Sequence, residues 1–195
     1  ADGWGEDASG TLWRANGVSM EKIGHTNTFD SLGYFYGSVT KALGFTPHRH
    51  EGKVLGLAAY CQDPQSYSEI RGMVDYDASH RRFLARPENG VYLPRYENPV
   101  LANLVSRFAR EDVAAAAQRS LEEVVCAMVS DLGGEDERIA LAGGVFANVK
   151  LNQRVKELSN IAEVFVFPNM GDGGLSVGAA FLAYAEQSDR APEAL

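Results

Sequence analysis

The sequence predicts an α/β chain in which strands pass through glycine-rich turns into helices, and three stretches carry that reading. Arg138-Ile139-Ala140-Leu141-Ala142 is an apolar run of strand length. It ends on Gly143-Gly144 and feeds straight into a helix, with Val145, Val149, Leu151 and Val155 at roughly helical spacing. Val164-Phe165-Val166-Phe167 repeats the plan, passing through Pro168-Asn169-Met170-Gly171-Asp172-Gly173-Gly174 into the small, apolar Leu175–Phe181, which reads as a helix packed tightly on a sheet. Between Asp112 and Leu132, Val113, Ala117, Leu121, Val124, Val125, Met128 and Leu132 form a continuous helical stripe, closed by Gly133-Gly134. That stripe is core packing.

Paired glycines let main-chain N–H groups approach a ligand with no Cβ in the way, and a helix start adds unpaired donors. Two such units in tandem suggest one crevice beyond the strand ends, where open α/β sheets hold ligands. The alternative at each turn is a tight connection with no ligand. Asp172 lies on the second turn, where a carboxylate can meet a ligand-bound cation.

Going back along the chain, Asp2-Gly3-Trp4-Gly5-Glu6-Asp7 is glycine-rich and acidic, and Ala1-Asp2-Gly3 opens without Met, as expected of a piece of a longer polypeptide. If a strand preceded Asp2, residues 2–6 would be a hairpin tip aiming amides at a phosphate. Otherwise they are a solvated turn. Thr11–Ala15, Asn16-Gly17 and Val18–Ile23 read as a hairpin, since Asn-Gly is a strong two-residue turn signal. Ser31 caps a helix with Leu32, Phe35, Tyr36, Val39 and Leu43 on one face and Gly44 as its stop.

His48 and His50 stand two apart in a loop, a weak metal spacing. Glu51-Gly52-Lys53 then opens a small-residue helix through Tyr60. Lys53 at that start could meet a phosphate or carboxylate, and Glu51 could hold Lys53 or position a hydroxyl. Residues 66–98 read as an insertion or cap, with a short strand at Val91–Leu93 and Arg81-Arg82 as solvated surface. Pro99 suits a first helical position, with Leu101, Leu104, Val105 and Phe108 on one face. Residues 188–195 form a polar, frayed tail.

Composition sets the outer limits. The 195 residues are 45% hydrophobic and 23% charged, and the net charge of −8 argues against non-specific nucleic-acid binding, which rests on basic surface. No apolar run approaches the ~20 residues of a membrane span, and no secretory signal is visible. Cys61 and Cys126 fit no metal spacing and suit a reduced, cytoplasmic setting.

Taken together, Ser31-Leu32-Gly33 to Gly44-Phe45, Glu51-Gly52-Lys53-Val54-Leu55-Gly56-Leu57-Ala58, Gly143-Gly144-Val145 to Asn148, and Gly171-Asp172-Gly173-Gly174-Leu175 to Ala180 occur in an order that resembles the NodU/CmcH-type O-carbamoyltransferases. The resemblance runs from Asp2 to about Ala185. It implies an actin/hexokinase/Hsp70-like (ASKHA) ATPase fold, with residues 1–187 as the second half of a Kae1-like domain whose mixed sheet is flanked by helices. The first half and a YrdC-like domain would lie elsewhere in the same polypeptide. The implied chemistry is formation of carbamoyl adenylate from carbamoyl phosphate and ATP, then carbamoyl transfer to a hydroxyl of a sugar, antibiotic or nodulation factor.

The implied metal is divalent, iron with magnesium as the alternative, held by Asp172 and two histidines outside this chain. Asp2, Gly3 and Gly5 would lie at the phosphate hairpin. Gly143, Gly144 and Asn148 would face the adenosine, and Gly171 and Gly173 would flank Asp172. Glu51, Gly52 and Lys53 would line the reaction cleft, with Glu51 or Asp63 as proton acceptor. Cys61-Gln62 replaces the glycine usual before Asp63. The chain alone would be inactive; a homodimer is compatible, and neither nucleic acid nor membrane is a partner. The rival readings are a sugar kinase of the same ATPase superfamily and a non-catalytic packing or dimerisation module.

Overall fold

The computed structural model describes residues 1–3, 5, 7–86, 96–134 and 137–188. Strands β1 (Ala8–Asn16) and β2 (Ser19–Asn27) form an antiparallel hairpin. Helices α1 (Leu32–Ala42), α2 (Glu51–Ala58) and α3 (Tyr67–Arg71) follow, then a second antiparallel hairpin of β3 (Val74–Asp77) and β4 (Arg82–Ala85). Next come α4 (Pro99–Arg107), α5 (Arg110–Asp131), β5 (Glu137–Leu141), α6 (Val149–Lys156), β6 (Ile161–Val166) and α7 (Leu175–Ser188). β5 and β6 pair in parallel, and α6 is the helix between them.

The molecule is built around α5. Its stripe of Val113, Leu121, Val124, Val125, Met128 and Val129 is buried. Ala114, Ala116 and Ala117 are fully buried too, and such short side chains let neighbouring helices approach closely. Helices α1, α2, α3, α4 and α6 and strand β3 all pack on α5. They contribute Phe35, Val39, Val54, Ile70, Val74, Leu101, Leu104, Leu151 and Val155 to one core.

Local chemistry fixes the ends of these elements. Ser31 Oγ accepts from Tyr34 N at 3.1 Å to start α1, and Gly44 leaves that helix at φ +80°. Asn98 Oδ1 accepts from Val100 N and Leu101 N, with Pro99 in the first turn of α4. Gly133 and Gly134, at φ +66° and +103°, end the run after α5. Asp112, buried on α5, accepts from Gln65 N at 2.6 Å and Ser66 N at 3.0 Å and so pins the loop before α3. Asp112→Ala is expected to cost about 2–3 kcal/mol, read from urea denaturation, because it leaves two amides unpaired where water is scarce.

Several sequence expectations are corrected. The first hairpin turns on Gly17-Val18, because Asn16 pairs with Ser19; Gly17 takes φ +60° in the first central position, the place of glycine in a type II′ turn. Gly144 does not open an α-helix: Gly144–Ala147 is a 3-10 turn, and α6 starts only after Asn148, whose Oδ1 accepts from Leu151 N at 3.0 Å. The insertion or cap expected at residues 66–98 is not at issue in the packing, where Ile70, Met73, Val74 and Phe83 belong to the main core. Arg82 pairs with Asp77 at 3.3 Å and Arg81 lies 3.8 Å from Asp131, so neither is plain solvated surface. Helix α7 buries no residue, and Leu175, Phe181, Leu182 and Tyr184 stay exposed, so it is not packed tightly on the sheet.

The described residues form three two-stranded sheets. β1 and β5 face each other across a groove of about 550 Å³ floored by Leu12, Phe83, Met128 and Phe146. The expected strand at Val91–Leu93 and the tail beyond Ser188 lie outside the described residues, as do Trp4 and Glu6.

Candidate functional site

A cavity of about 430 Å³ opens where α1, the start of α2, the 3-10 turn after β5 and residues 2–3 meet. It is lined by Asp2, Gly3, Glu51, Gly52, Gly144 and Asn148, six residues singled out in the sequence from three separate stretches. The strand ends lead to it: Gly143 N, at the exit of β5, donates to Met170 O, beyond the end of β6, at 2.6 Å. The cavity borders the turn after β5 alone, with one wall made by α1 and α2 and no lining residue from β6 or the turn after it.

Close backbone approach builds this corner. A Cβ on Gly33 of α1 would stand 2.6 Å from Gly3 N and 2.8 Å from the Asp2 carbonyl carbon. Gly143 takes φ +102°, and a Cβ there would meet Ala1 O at 2.1 Å. These glycines let residues 1–3 thread between α1 and the β5 exit.

The turn amides do not point into open space. Gly144 N donates to Asp2 Oδ2 at 3.1 Å, Val145 N to Ala1 O at 3.2 Å, and Gly3 N to Asp2 Oδ1 at 2.7 Å. The Asp2 carboxylate thus occupies the position that sequence reasoning gave to a ligand phosphate. Glu51 and Gly52, in the first turn of α2 where N–H groups have no intrahelical acceptor, line the cavity with Arg49 beside them. Glu51 Oε1 accepts from His48 N at 2.6 Å, which folds this carboxylate back over the helix start.

The remaining predicted residues are elsewhere. Lys53 is exposed and sets its ammonium 5.6 Å from the Phe45 ring centroid, a cation–π contact away from the cavity lining. Asp63 is exposed; its main-chain carbonyl accepts from Gln65 Nε2 at 3.1 Å, and its charge acts on the Arg119 guanidinium. Gly5 N donates to Ala8 O at 2.9 Å within the hairpin entry. Gly171, Asp172 and Gly173 are on the turn after β6, with Asp172 exposed at the start of a 3-10 segment. They adjoin the cavity through the Gly143–Met170 bond but do not line it. Among the described residues no three His, Cys, Asp or Glu side chains are grouped to hold a metal ion.

Two features escaped sequence reasoning. Tyr34 and Tyr96 stack at 5.0 Å, 14° from parallel, and His48 stands edge-on to both, with its Nε2 hydrogen-bonded to the Tyr96 hydroxyl. His48 and Tyr96 line the cavity, and His48 holds φ +64°, unusual for a residue with a side chain. Tyr96 sits over Gly37, where a Cβ would be 2.7 Å from the ring. The Gly33/Gly37 pair one turn apart on α1 was the available signal for that flat seat.

The second feature is a part-buried network of Tyr36, Gln118, Asn148 and Glu122, in which Tyr36 and Gln118 are buried. Its signal was a lone glutamine directly after four alanines in an apolar stripe. Burial pushes the Tyr36 phenol well above its ordinary range, and the nearby charges of Glu122 and Glu51 add to this, with the Asn148 hydrogen bond opposing. A tyrosine whose pKa is raised on folding stabilises the native state until the pH passes the unfolded value of about 10, and that stability is lost as the pH climbs further. Tyr36→Phe is therefore expected to flatten the fall in stability above about pH 10, read as urea midpoints across alkaline pH.

An α/β chain with a ligand-sized cavity beside the exit of one of two parallel strands is thus defined. Residues 2–181 match the family described as "Carbamoyltransferase N-terminus", and the chain belongs to that carbamoyltransferase family. It is 32% identical over 197 residues to an uncharacterised protein of Methanocaldococcus jannaschii, covering 92% of this chain and 35% of that protein. It is 30% identical over 204 residues to the nodulation protein NolNO of Sinorhizobium fredii, covering 98% of this chain and 28% of NolNO. With the nodulation protein NolO of Bradyrhizobium diazoefficiens it shares 30% over 200 residues, 98% of this chain and 35% of NolO. The chain spans about a third of the length of these relatives. No described helix is long and apolar enough to cross a membrane.

Proposed function

We propose that the polypeptide containing this chain is an O-carbamoyltransferase that forms carbamoyl adenylate from carbamoyl phosphate and ATP and passes the carbamoyl group to a carbohydrate hydroxyl. Family membership and the likeness to two nodulation proteins support carbamoyl transfer in general. The observation that carries the reading is the convergence of Glu51, Gly52, Asp2, Gly3, Gly144 and Asn148 on one cavity.

In this reading the first turn of α2 and Arg49 receive the anionic end of the adenylate, since Asp2 already fills the glycine-turn amides. Adenylation supplies AMP as a leaving group. The acceptor oxygen attacks the carbamoyl carbon, the bond from that carbon to the adenylate oxygen breaks, and the hydroxyl proton passes to the Glu51 carboxylate. Asp63, exposed and away from the cavity, is set aside as the base. In this reading Asp172 would give one carboxylate to a divalent metal, iron or magnesium, completed by residues outside this chain, and that metal would supply Lewis-acid chemistry. The ASKHA fold and a YrdC-like partner domain remain part of the proposal for the whole polypeptide.

The test is the full-length protein supplied with ATP, carbamoyl phosphate and a chitooligosaccharide or aminoglycoside acceptor. Carbamoylated product and AMP are expected. Phosphorylated acceptor and ADP, with no need for carbamoyl phosphate, would replace this reading with the sugar-kinase one.

A further inference from the structure

Ala1 and Asp2 bond to both walls of the groove between β1 and β5. On the β1 side, Asp2 N donates to Ser9 O at 2.8 Å. On the β5 side, Ala1 N donates to Ala142 O at 2.8 Å, and Ala1 O accepts from Val145 N at 3.2 Å. Neighbouring residues of a strand turn their peptide groups to opposite edges, so these two residues bond as the end of a strand lying between β1 and β5 would. The walls stand two strand spacings apart at this level, about 9.5 Å.

The register follows from the same contacts. A Cβ on Gly10 would lie 3.6 Å from the Ala1 Cβ, so Ala1 and Gly10 stand directly opposite each other in a close, unbonded pair, next to the bonded pair of Asp2 and Ser9. The direction is antiparallel to β1 and, arriving beside Ala142 at the exit of β5, parallel to β5. Ala1 packs against the core, and Leu12, two residues beyond Gly10, is buried on that same face.

Both walls turn a free edge to the groove. Among the described residues β1 pairs with β2 and β5 pairs with β6. Glu137 N donates to Asn160 O and Leu141 O accepts from Phe167 N, so alternate positions of β5 face β6, and Arg138, Ala140 and Ala142 face the groove. By the same alternation from Ser9, Thr11 and Trp13 face it from β1. The floor of Leu12, Phe83, Met128 and Phe146 is apolar. Two rows of peptide groups without ladder partners above an apolar floor form a template for one strand. The relatives are about three times as long as this chain, so the full polypeptide has chain to supply it.

We propose that the residues immediately before Ala1 in the full polypeptide form a strand in this groove, antiparallel to β1 and parallel to β5, joining two of the sheets into one mixed sheet in the order β2, β1, the new strand, β5, β6. About five residues suffice, matching Thr11–Ala15 on the facing wall. The second and fourth residues before Ala1 face the floor and are apolar. The first and third face outward beside Thr11 and the half-exposed Trp13. The strand delivers Asp2 to the cavity corner. The proposal does not depend on the transfer reaction.

The experiment uses the full-length protein and reads hydrogen exchange residue by residue. The amides of Thr11, Trp13 and Ala140 should exchange on the order of 10²-fold more slowly than exposed amides of the same protein, as the β6-facing Ile139 amide should. Thr11→Cys, combined with a cysteine at the residue just before Ala1, should close a disulfide within one chain under mild oxidation. Both positions face outward, so the fold is not disturbed. Moving the second cysteine one residue further back turns it to the floor and should slow closure by about tenfold or more.

Thr11, Trp13 and Ala140 amides that exchange freely while Ile139 is protected overturn the proposal. Protection without disulfide closure assigns the groove to another segment and overturns it too. Protection or a disulfide that arises only between two copies, and is lost on dilution, gives the groove to a second molecule and does the same. A protein that transfers no carbamoyl group changes neither measurement.

Discussion

Gly33→Ala should destabilise the protein by about 2–3 kcal/mol, although alanine in place of glycine inside a helix ordinarily gains close to 1 kcal/mol. The sign reverses because the new Cβ would overlap the main chain of residues 2 and 3, at 2.6 Å from Gly3 N and 2.7 Å from Gly3 Cα. Backbone cannot swing aside as the end of a long side chain can. Residues 2–3 would have to retreat from α1, and with them would go the Asp2 bond to Gly144 that shapes the cavity mouth. Gly56→Ala on α2 is the matched control, since nothing lies within 4 Å of its Cβ position. It should gain up to about 1 kcal/mol. Chemical denaturation of both variants side by side checks the contrast, and equal effects would mean that the close crossing is absent in solution.

Glu51→Gln in the full-length protein should lower kcat for transfer by about 10²–10⁴-fold with little change in stability. The carboxylate lines the cavity, and one of its oxygens is already held by His48 N, which leaves the other to take a proton from an acceptor hydroxyl. Glutamine keeps the bond to His48 N but has no proton-accepting carboxylate. Lys53→Ala and Asp63→Ala should each leave the rate within about threefold, because neither reaches the cavity, and an exposed side chain away from a site seldom does more. Rates of carbamoylated product formation at saturating substrates decide, and a fully active Glu51→Gln would move the proton acceptor elsewhere.

Much of the fold was legible because its elements obey local rules. Ser31 and Gly44 bound α1, Pro99 starts α4, and the Val113-to-Met128 stripe marks the central helix. The parallel β5–β6 pair with its two glycine exits was legible for the same reason. The site was legible only in part. Glycine turns announce main-chain donors but not what those donors bind, so the sequence offered Gly144 N to a phosphate whereas the fold gives it to Asp2. Lys53 and Glu51 stand two apart at a helix start, about 200° around the axis, and only one of them can face a given cavity. Gln118 and Tyr96 were missed because their roles depend on partners 30 and 48 positions away in the chain. The packing of α7 was misjudged because a small, apolar composition states that a helix can be covered, not what covers it.

The bond from Gly144 N to Asp2 Oδ2 spans 142 positions, whereas the Ser9–Asn27 bond in the first hairpin spans 18. Closing the longer loop involves three more doublings of length, at roughly 0.6 kcal/mol each, or about 2 kcal/mol in entropy. The cavity corner is accordingly expected to assemble late in folding, after the hairpin and the α5 bundle, which unfolding and refolding rates of Gly33→Ala would check. In the transition state its bonds are still open, so the stabilisation they give appears in the unfolding rate rather than the folding rate. A ligand bound there would act as a kinetic latch, lengthening the lifetime of the native state without hastening its formation.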